Sequence, residues 1–261
     1  MYNNYKYTLR ISNTSVFYYR RSIRITMLLC FLTIGSFAQN KINILIVTGG
    51  HGFKQVPFYH MFDSLANITY DKAVQPKANE LIASATVDQY DALVFYDMCD
   101  TITPQQKQAY IKLLNKGKAM IFLHHSLVSY QNWDEFQRIL GGKYYEKATI
   151  INGDTLKSTY QHDVVIPVKI QDSKHPVTLG LKDFEIYDEV YGNFGIQPGI
   201  KPLLSTIHPG SSRYIAWINP YGNSKVLFIQ LGHGPEAFAN PNYRKLLQQG
   251  IEWSVLQHKK K

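Results

Sequence analysis

The stretch KAMIFLHHSLVSYQNW, Lys118 to Trp133, reads as a buried strand, Ala119 to Leu123, that runs straight into two histidines and a serine. The polar end is either a hydrogen-bonded strand terminus or the floor of a site. The neighbouring segments set the context. Upstream, TPQQKQAYIKLLNKG (Thr103 to Gly117) carries a good helix N-cap in Thr103, a proline at the first helical position and a terminal glycine as a stop. Before it, YDALVFYDM (Tyr90 to Met98) is a continuous apolar run. INILIVTGG (Ile42 to Gly50) is another, as expected of strands buried on both faces. Between these two runs, Phe58, Met61, Phe62 and Leu65 recur at helical spacing within Pro57 to Asn67. Downstream, NWDEFQRILGG (Asn132 to Gly142) is a capped helix ending in glycine. Strand-helix alternation of this kind predicts right-handed crossovers. The fold class is α/β: a three-layer α/β/α sandwich with a mostly parallel central sheet.

The second half is richer in strands. DVVIPVKI (Asp163 to Ile170) alternates. Tyr214 to Ile218 and Lys225 to Leu231 read as hairpin arms joined by Asn219 to Ser224. NPNYRKLLQQGIEWSVLQ is a closing amphipathic helix capped by Asn240 or Asn242. No repeat or interdomain linker interrupts the chain, so residues 40–257 read as a single domain followed by a basic tail, 258–261.

Residues 1–39 have a different character. They hold Lys6, Arg10, Arg20, Arg21 and Arg24, no acidic residue, and the apolar run MLLCFLTIGSFA from Met27 to Ala38. A basic flank, a short apolar run and Ser36-Phe37-Ala38 before Gln39 form the pattern of a secretory signal peptide. The run is shorter than the roughly 20 residues of a comfortable membrane span. The expectation is therefore an exported protein, periplasmic or secreted, with no stable membrane span after cleavage. An uncleaved, membrane-tethering signal anchor is the competing reading. Cys30 follows Leu28-Leu29 rather than a small residue, which argues against a lipoprotein cysteine.

The chain carries a net charge of +9, and five of those charges lie in this leader. What remains has no basic stripe with interleaved aromatics, which excludes a nucleic-acid partner. Beyond the leader Cys99 is the one cysteine, so neither an internal disulfide nor a cysteine-based zinc site is expected.

In open α/β sheets ligands bind beyond the carboxyl ends of the strands. There the sequence places Thr48 to Phe53, Asp97 to Asp100, His124 to Ser129, and Gln230 to Glu236. Of nine histidines, His51, His124, His125 and His233 fall at strand ends. A further polar knot, YDEVYGNF (Tyr187 to Phe194), supplies Asp188, Glu189, Tyr191 and Asn193. Strand neighbours point to opposite faces, so one of the His124-His125 pair is expected in the crevice, with His125 the favoured one. The candidate catalytic residues are His125, Glu189 and His233. The candidate substrate-binding residues are Gly50, His51, His124, Ser126, Tyr191 and Asn193. A divalent metal such as zinc has His51, His125, Glu189 and His233 as its candidate ligands, on assumed convergence rather than on any H-E-x-x-H spacing. Each piece has a bland alternative. A turn histidine beside glycines is as often structural, and Glu189 could sit in a structural ion pair. The tryptophans Trp133, Trp217 and Trp253 read as core. His60, His162, His175 and His208 read as helix or loop histidines.

FLHHSLVSYQNWDEFQRILGGKY, YDEVYGNF and FIQLGHGPEAFANPNYRKLLQQGIEW together resemble the ThuA-like (trehalose utilisation) domain family, over roughly Lys41 to Trp253. The resemblance implies a class I glutamine amidotransferase-like (flavodoxin-like) fold. It also implies a role in carbohydrate metabolism, with a disaccharide or keto-sugar derivative as the small-molecule partner. Amidotransferases of this class place a nucleophilic cysteine in the turn after a central strand. The matching turn, Leu123-His124-His125-Ser126, has none, so a glutaminase is not expected. Ser126 lacks the G-x-S-x-G context of a serine nucleophile. A hydrolase, lyase or isomerase acting through histidine and glutamate remains, against a non-catalytic carbohydrate-binding protein. Homo-oligomerisation is left open.

Overall fold

A computed structural model describes residues 1–2, 41–151 and 153–259. The expected leader, residues 1–39, and the end of the tail, residues 260 and 261, lie outside the described residues apart from Met1 and Tyr2. From Gln39 onward the chain forms one compact unit. Its elements in order are β1 (Ile42–Gly49), α1 (Gln55–Asp63), β2 (Ile68–Val74), α2 (Ala78–Ala83), β3 (Ala92–Asp97), α3 (Pro104–Asn115) and β4 (Ala119–Leu123). A 3-10 turn, His124–Val128, leads to α4 (Asp134–Leu140), β5 (Gly142–Lys143), β6 (Thr149–Ile151) and β7 (Asp154–Leu156). Then come β8 (Thr159–Ile170), β9 (Phe184–Gly192), β10 (Gly195–Ile196), β11 (Lys201–Thr206), β12 (Tyr214–Tyr221), β13 (Ser224–Ile229), α5 (Pro235–Ala239) and α6 (Pro241–Lys259).

Among the described residues nine strands form one sheet in the order β2-β1-β3-β4-β13-β12-β11-β8-β9. The pairings from β2 to β13 are parallel. Those from β13 to β9 are antiparallel. The parallel character expected from the sequence thus belongs to the N-terminal part, and the strand-rich second half extends the sheet in the antiparallel sense. β1, β3, β4 and β13 all point the same way, so their carboxyl ends share one edge.

The apolar runs follow from burial on two faces. Ile44 and Ile46 of β1 join one core with Ile121, Leu227 and residues of α1 and α6. Leu45 and Val47 join the other with Phe95, Phe122, Phe228 and residues of α3 and α4. Every residue of β3 and β4 is buried, and Phe95 stacks on Phe122 at 4.5 Å. Each large apolar side chain among them contributes about 1.5–3 kcal/mol of burial free energy. Trp133, Trp217 and Trp253 are core, and the Trp217 indole donates to the Leu140 carbonyl at 2.8 Å.

Local signals decide the element ends. Thr103 and Gln106 form a reciprocal capping box on α3. The Asn240 side chain accepts from the backbone N–H groups of Asn242 and Tyr243 at the start of α6. Gly141 ends α4 in a left-handed conformation (φ 81°), where a Cβ would meet Ile200 and the Trp217 indole. The β12-β13 hairpin is tighter than its sequence suggests. Tyr221 still pairs with Ser224, which leaves a two-residue turn with Gly222 at φ 54°. Such short turns match the twist of the flanking strands.

Candidate active site

The turn after β4 brings both histidines into the site. His124 has φ 48°, a left-handed conformation unusual for a side-chain-bearing residue and worth about 1–3 kcal/mol of strain. The chain therefore leaves the strand at His124, and the alternation expected of a continuing strand does not operate. The two rings lie 5.5 Å apart between centroids, and both are buried.

The His124 ring is tied at both nitrogens. The Gln230 carbonyl lies 2.6 Å from Nδ1. A carbonyl only accepts, so Nδ1 carries the hydrogen. Nε2 faces Glu189 Oε2 at 2.8 Å, the Tyr191 hydroxyl at 3.0 Å and His233 Nδ1 at 3.1 Å. His233 Nδ1 is itself 2.9 Å from Glu189 Oε2. The other carboxylate oxygen, Oε1, is 3.2 Å from His162 Nδ1. Glu189 is thus shared by three histidines from three parts of the chain.

Asp188, beside Glu189 on β9, turns the other way. It accepts from the backbone N–H groups of Gly232 (2.6 Å) and His233 (2.8 Å). The Tyr96 hydroxyl donates to the Gly232 carbonyl at 2.9 Å. The loop that carries His233 is pinned from two sides. Gly232 (φ 111°) permits this, since a Cβ there would fall 2.3 Å from the Tyr243 hydroxyl.

The charges follow from this geometry. Burial alone would raise the Glu189 carboxyl, but the His124 and His233 imidazoles, 2.8 and 2.9 Å from Oε2, outweigh it and hold the group well below the ordinary carboxylate range. The contact with Glu189 raises His233, against the opposing effect of its own burial. Burial drives His125 well below the ordinary histidine value and lowers His51 as well. His125 is 2% exposed, and neither of its ring nitrogens makes a well-aligned hydrogen bond. The Tyr96 backbone lends it some hydrogen-bond stabilisation, and the Tyr96 ring packs 4.2 Å from it. His51 lies 4.8 Å from the His125 ring.

These groups border a cavity of about 250 Å³, lined by His51, His125, Tyr144, Tyr160, His162 and Glu189 among others. Tyr191 also lines it. The remaining expected site residues lie elsewhere. Ser126 is fully buried and donates to Asp97 Oδ1 at 3.2 Å, away from the histidines. Asn193 is exposed in a left-handed turn (φ 55°), and it is its carbonyl that accepts from Ser158. Gly50 serves a close approach: a Cβ there would fall 1.6 Å from the Met98 carbonyl oxygen.

Among the described residues, the set whose ligand atoms converge tightly enough for a metal is His124, Glu189 and His233. It differs from the expected set: His124 is in the group, while His51 and His125 stand beside the cavity. His162 is the residue that the sequence reading passed over. It sits in an irregularity of β8 between Gln161 and Val164, opposite Val190 and Asp188 of β9. A bulge of this kind re-aims a side chain, and its one visible sign in the sequence is the polar run before DVVIPVKI.

Comparison with known proteins supplies the family. The ThuA family model, described as trehalose utilisation, matches residues 43–254. A ThuA-like protein from Parabacteroides merdae superposes with a TM-score of 0.70 at 17% identity, covering 82% of this chain and 90% of that one. A ThuA-like protein from Bacteroides uniformis gives 0.62 at 17% identity, with 82% and 91% covered. PurLQS from Thermotoga maritima gives 0.52 at 14% identity, with 82% and 99% covered. At these identities the likeness to solved structures shows the fold, an amidotransferase-like α/β sandwich. A search of the curated proteins finds no match. The family match spans nearly all of the compact unit, and the chain therefore belongs to the ThuA, or trehalose utilisation, family, which ties it at family level to carbohydrate metabolism.

Proposed function

We propose that this protein is an enzyme acting on a disaccharide or keto-sugar derivative, with its chemistry at the His124–Glu189–His233 cluster. The observation that carries the reading is the environment of His125. A buried imidazole with neither nitrogen in an aligned hydrogen bond lines a cavity beside an ionised carboxylate. A buried polar group without a well-aligned partner costs up to about 1–3 kcal/mol. A sugar hydroxyl or carbonyl reaching His125 relieves that cost.

Groups whose environments push their proton affinities apart divide acid and base roles. Burial lowers the proton affinity of His125 strongly and that of the more exposed His51 as well, and both suit proton acceptance from a sugar hydroxyl or carbon acid. Beside Glu189, which favours positive charge at the His233 position, a carbonyl or leaving oxygen is polarised. Tyr144 and Tyr160 offer aromatic faces to a sugar ring at the cavity wall. The turn after β4, Leu123-His124-His125-Ser126, which by the resemblance matches the one that carries an amidotransferase's cysteine, has no cysteine, so thioester chemistry forms no part of the proposal.

The test incubates the protein with trehalose, other disaccharides and their keto forms, and follows products by NMR and binding by calorimetry. His125→Asn is expected to lower kcat about 100-fold or more while ligand binding persists. Unaltered turnover removes His125 from the chemistry. Binding without turnover by the wild type reassigns the protein as a carbohydrate-binding module. We further propose export through the leader, tested by N-terminal sequencing of the protein from its native cell. An intact N-terminus confined to the cytosol overturns it.

A further inference from the structure

We infer that the positive charge beside Glu189 is a divalent first-row metal ion, held by His124 Nε2, Glu189 Oε2 and His233 Nδ1 with an open side toward the cavity. The three atoms form a nearly equilateral triangle with sides of 2.8, 2.9 and 3.1 Å. Tetrahedral zinc with bonds of about 2.1 Å separates its ligand atoms by about 3.4 Å. The triangle therefore needs to open by roughly 0.3–0.6 Å to accept the ion, a movement within reach of small side-chain rotations.

Two independent features point to a cation. The first is the proton inventory of His124. Its Nδ1 hydrogen is committed to the Gln230 carbonyl at 2.6 Å, so neutral His124 presents a lone pair at Nε2. That lone pair faces a carboxylate oxygen, a second ring nitrogen and a hydroxyl, all within 3.1 Å. A single hydrogen at Nε2 serves only one of these neighbours, whereas a cation inside the triangle satisfies both nitrogens and the carboxylate at once. The second is the support around the ligands. A histidine ligand characteristically donates its other N–H to a carbonyl or carboxylate, and ligating carboxylates are themselves hydrogen-bonded. Here the Gln230 carbonyl holds His124, and His162 Nδ1 lies 3.2 Å from the other oxygen of Glu189. Two imidazoles and one carboxylate favour zinc and its first-row neighbours over magnesium or calcium, which prefer all-oxygen sites. Of the three ligands Glu189 lines the cavity, together with His51, His125 and His162.

The inference shares the cluster of the proposed enzyme but not its substrate, and its test needs no carbohydrate. Metal is removed with a chelator, and the apoprotein is titrated with cobalt(II) and zinc(II), read by calorimetry and by the visible spectrum of the cobalt form. One equivalent is expected to bind, with cobalt bands characteristic of nitrogen and oxygen ligands. His124→Asn, Glu189→Gln and His233→Asn are each expected to weaken zinc binding by more than the 10–100-fold that outer partners carry. His51→Asn is expected to stay within about threefold of wild type, as a residue outside the triangle. Circular dichroism of each apo variant separates lost binding from lost folding, and His233→Asn, at a half-exposed loop position, provides a ligand variant least exposed to that ambiguity. No binding at 100-fold excess metal overturns the inference in favour of a protonated imidazole between the same atoms. Binding that survives His124→Asn and His233→Asn but is lost in His51→Asn overturns the assignment of ligands. Either result leaves the carbohydrate assay free to succeed or fail separately.

Discussion

Glu189 shows how one residue organises the site. Its side chain is 5% exposed, yet it stays ionised because His124 and His233 converge on it. Removing one partner of such a buried cluster leaves the others uncompensated, which costs about 3–5 kcal/mol for a buried ion pair. Glu189→Gln tests this while keeping the shape. It removes the negative charge that raises His233, so the His233 imidazole is expected to titrate lower, as read by NMR of labelled histidine in metal-free protein. An unmoved His233 titration would show that Glu189 does not set its charge. The same substitution is expected to lower kcat/KM on the substrate by about 100-fold or more, the scale of a lost preorganised charge. His124 teaches a related point: its φ of 48° aims the ring at Glu189, so a strained backbone angle, invisible in the residue type, decides which histidine joins the cluster.

At the scale of elements, the loop between β13 and α5 carries a sharp demand. Gly232→Ala places a methyl against the Tyr243 hydroxyl at a φ of 111°. It is expected to destabilise the protein by about 1–3 kcal/mol in urea denaturation and to displace His233. A neutral effect on both stability and activity would show that the loop adjusts freely. Thr103→Ala, remote from the site, is expected to cost about 1 kcal/mol through loss of the capping box and to leave activity unchanged. These elements also mark what could be read in advance. β1, β3 and β4 are buried on both faces, so their apolar runs announce them. α3 announces itself by its cap. β9 did not, because FEIYDEVYG carries its acidic residues in the middle of a strand, and only tertiary partners make them tolerable there. β2 is an edge strand and largely half-exposed or exposed, with no strong period. The first part of β8, TYQH, is polar because it lies out of the core. For the same reason His162 gave no sign of its contact with Glu189, which depends on a strand irregularity rather than on composition.

At the scale of the molecule, two apolar cores leave polar groups one place to gather, the carboxyl ends of the parallel strands. A buried network beneath the histidine turn makes that arrangement sensitive to pH. Asp97, at the end of β3, accepts from the Gln75 amide at 2.8 Å and the Ser126 hydroxyl at 3.2 Å. Ser129 donates to its carbonyl at 3.0 Å, so Asp97 ties β3 to the turn that carries His124. Full burial raises the Asp97 carboxyl from 3.8 to about 6, against these hydrogen bonds. The sign is that of an acid whose folded form holds its proton more tightly than the unfolded chain. Below pH 4 the group is neutral in both states and costs nothing. Between pH 4 and 6 the unfolded chain ionises first, and stability falls as pH rises. Above pH 6 the full cost remains, about 3 kcal/mol for this span. Other groups titrate in the same range, Glu189 in the opposite sense, so the comparison must be with a variant. Asp97→Asn keeps the size and cannot ionise. The stability of the wild type relative to Asp97→Asn is therefore expected to drop by up to about 3 kcal/mol between pH 4 and 7 in denaturant titrations, and to level off above it. Parallel pH profiles for the two proteins would mean that Asp97 is ionised in the folded state throughout, and that the turn rests on a charged rather than a protonated carboxyl.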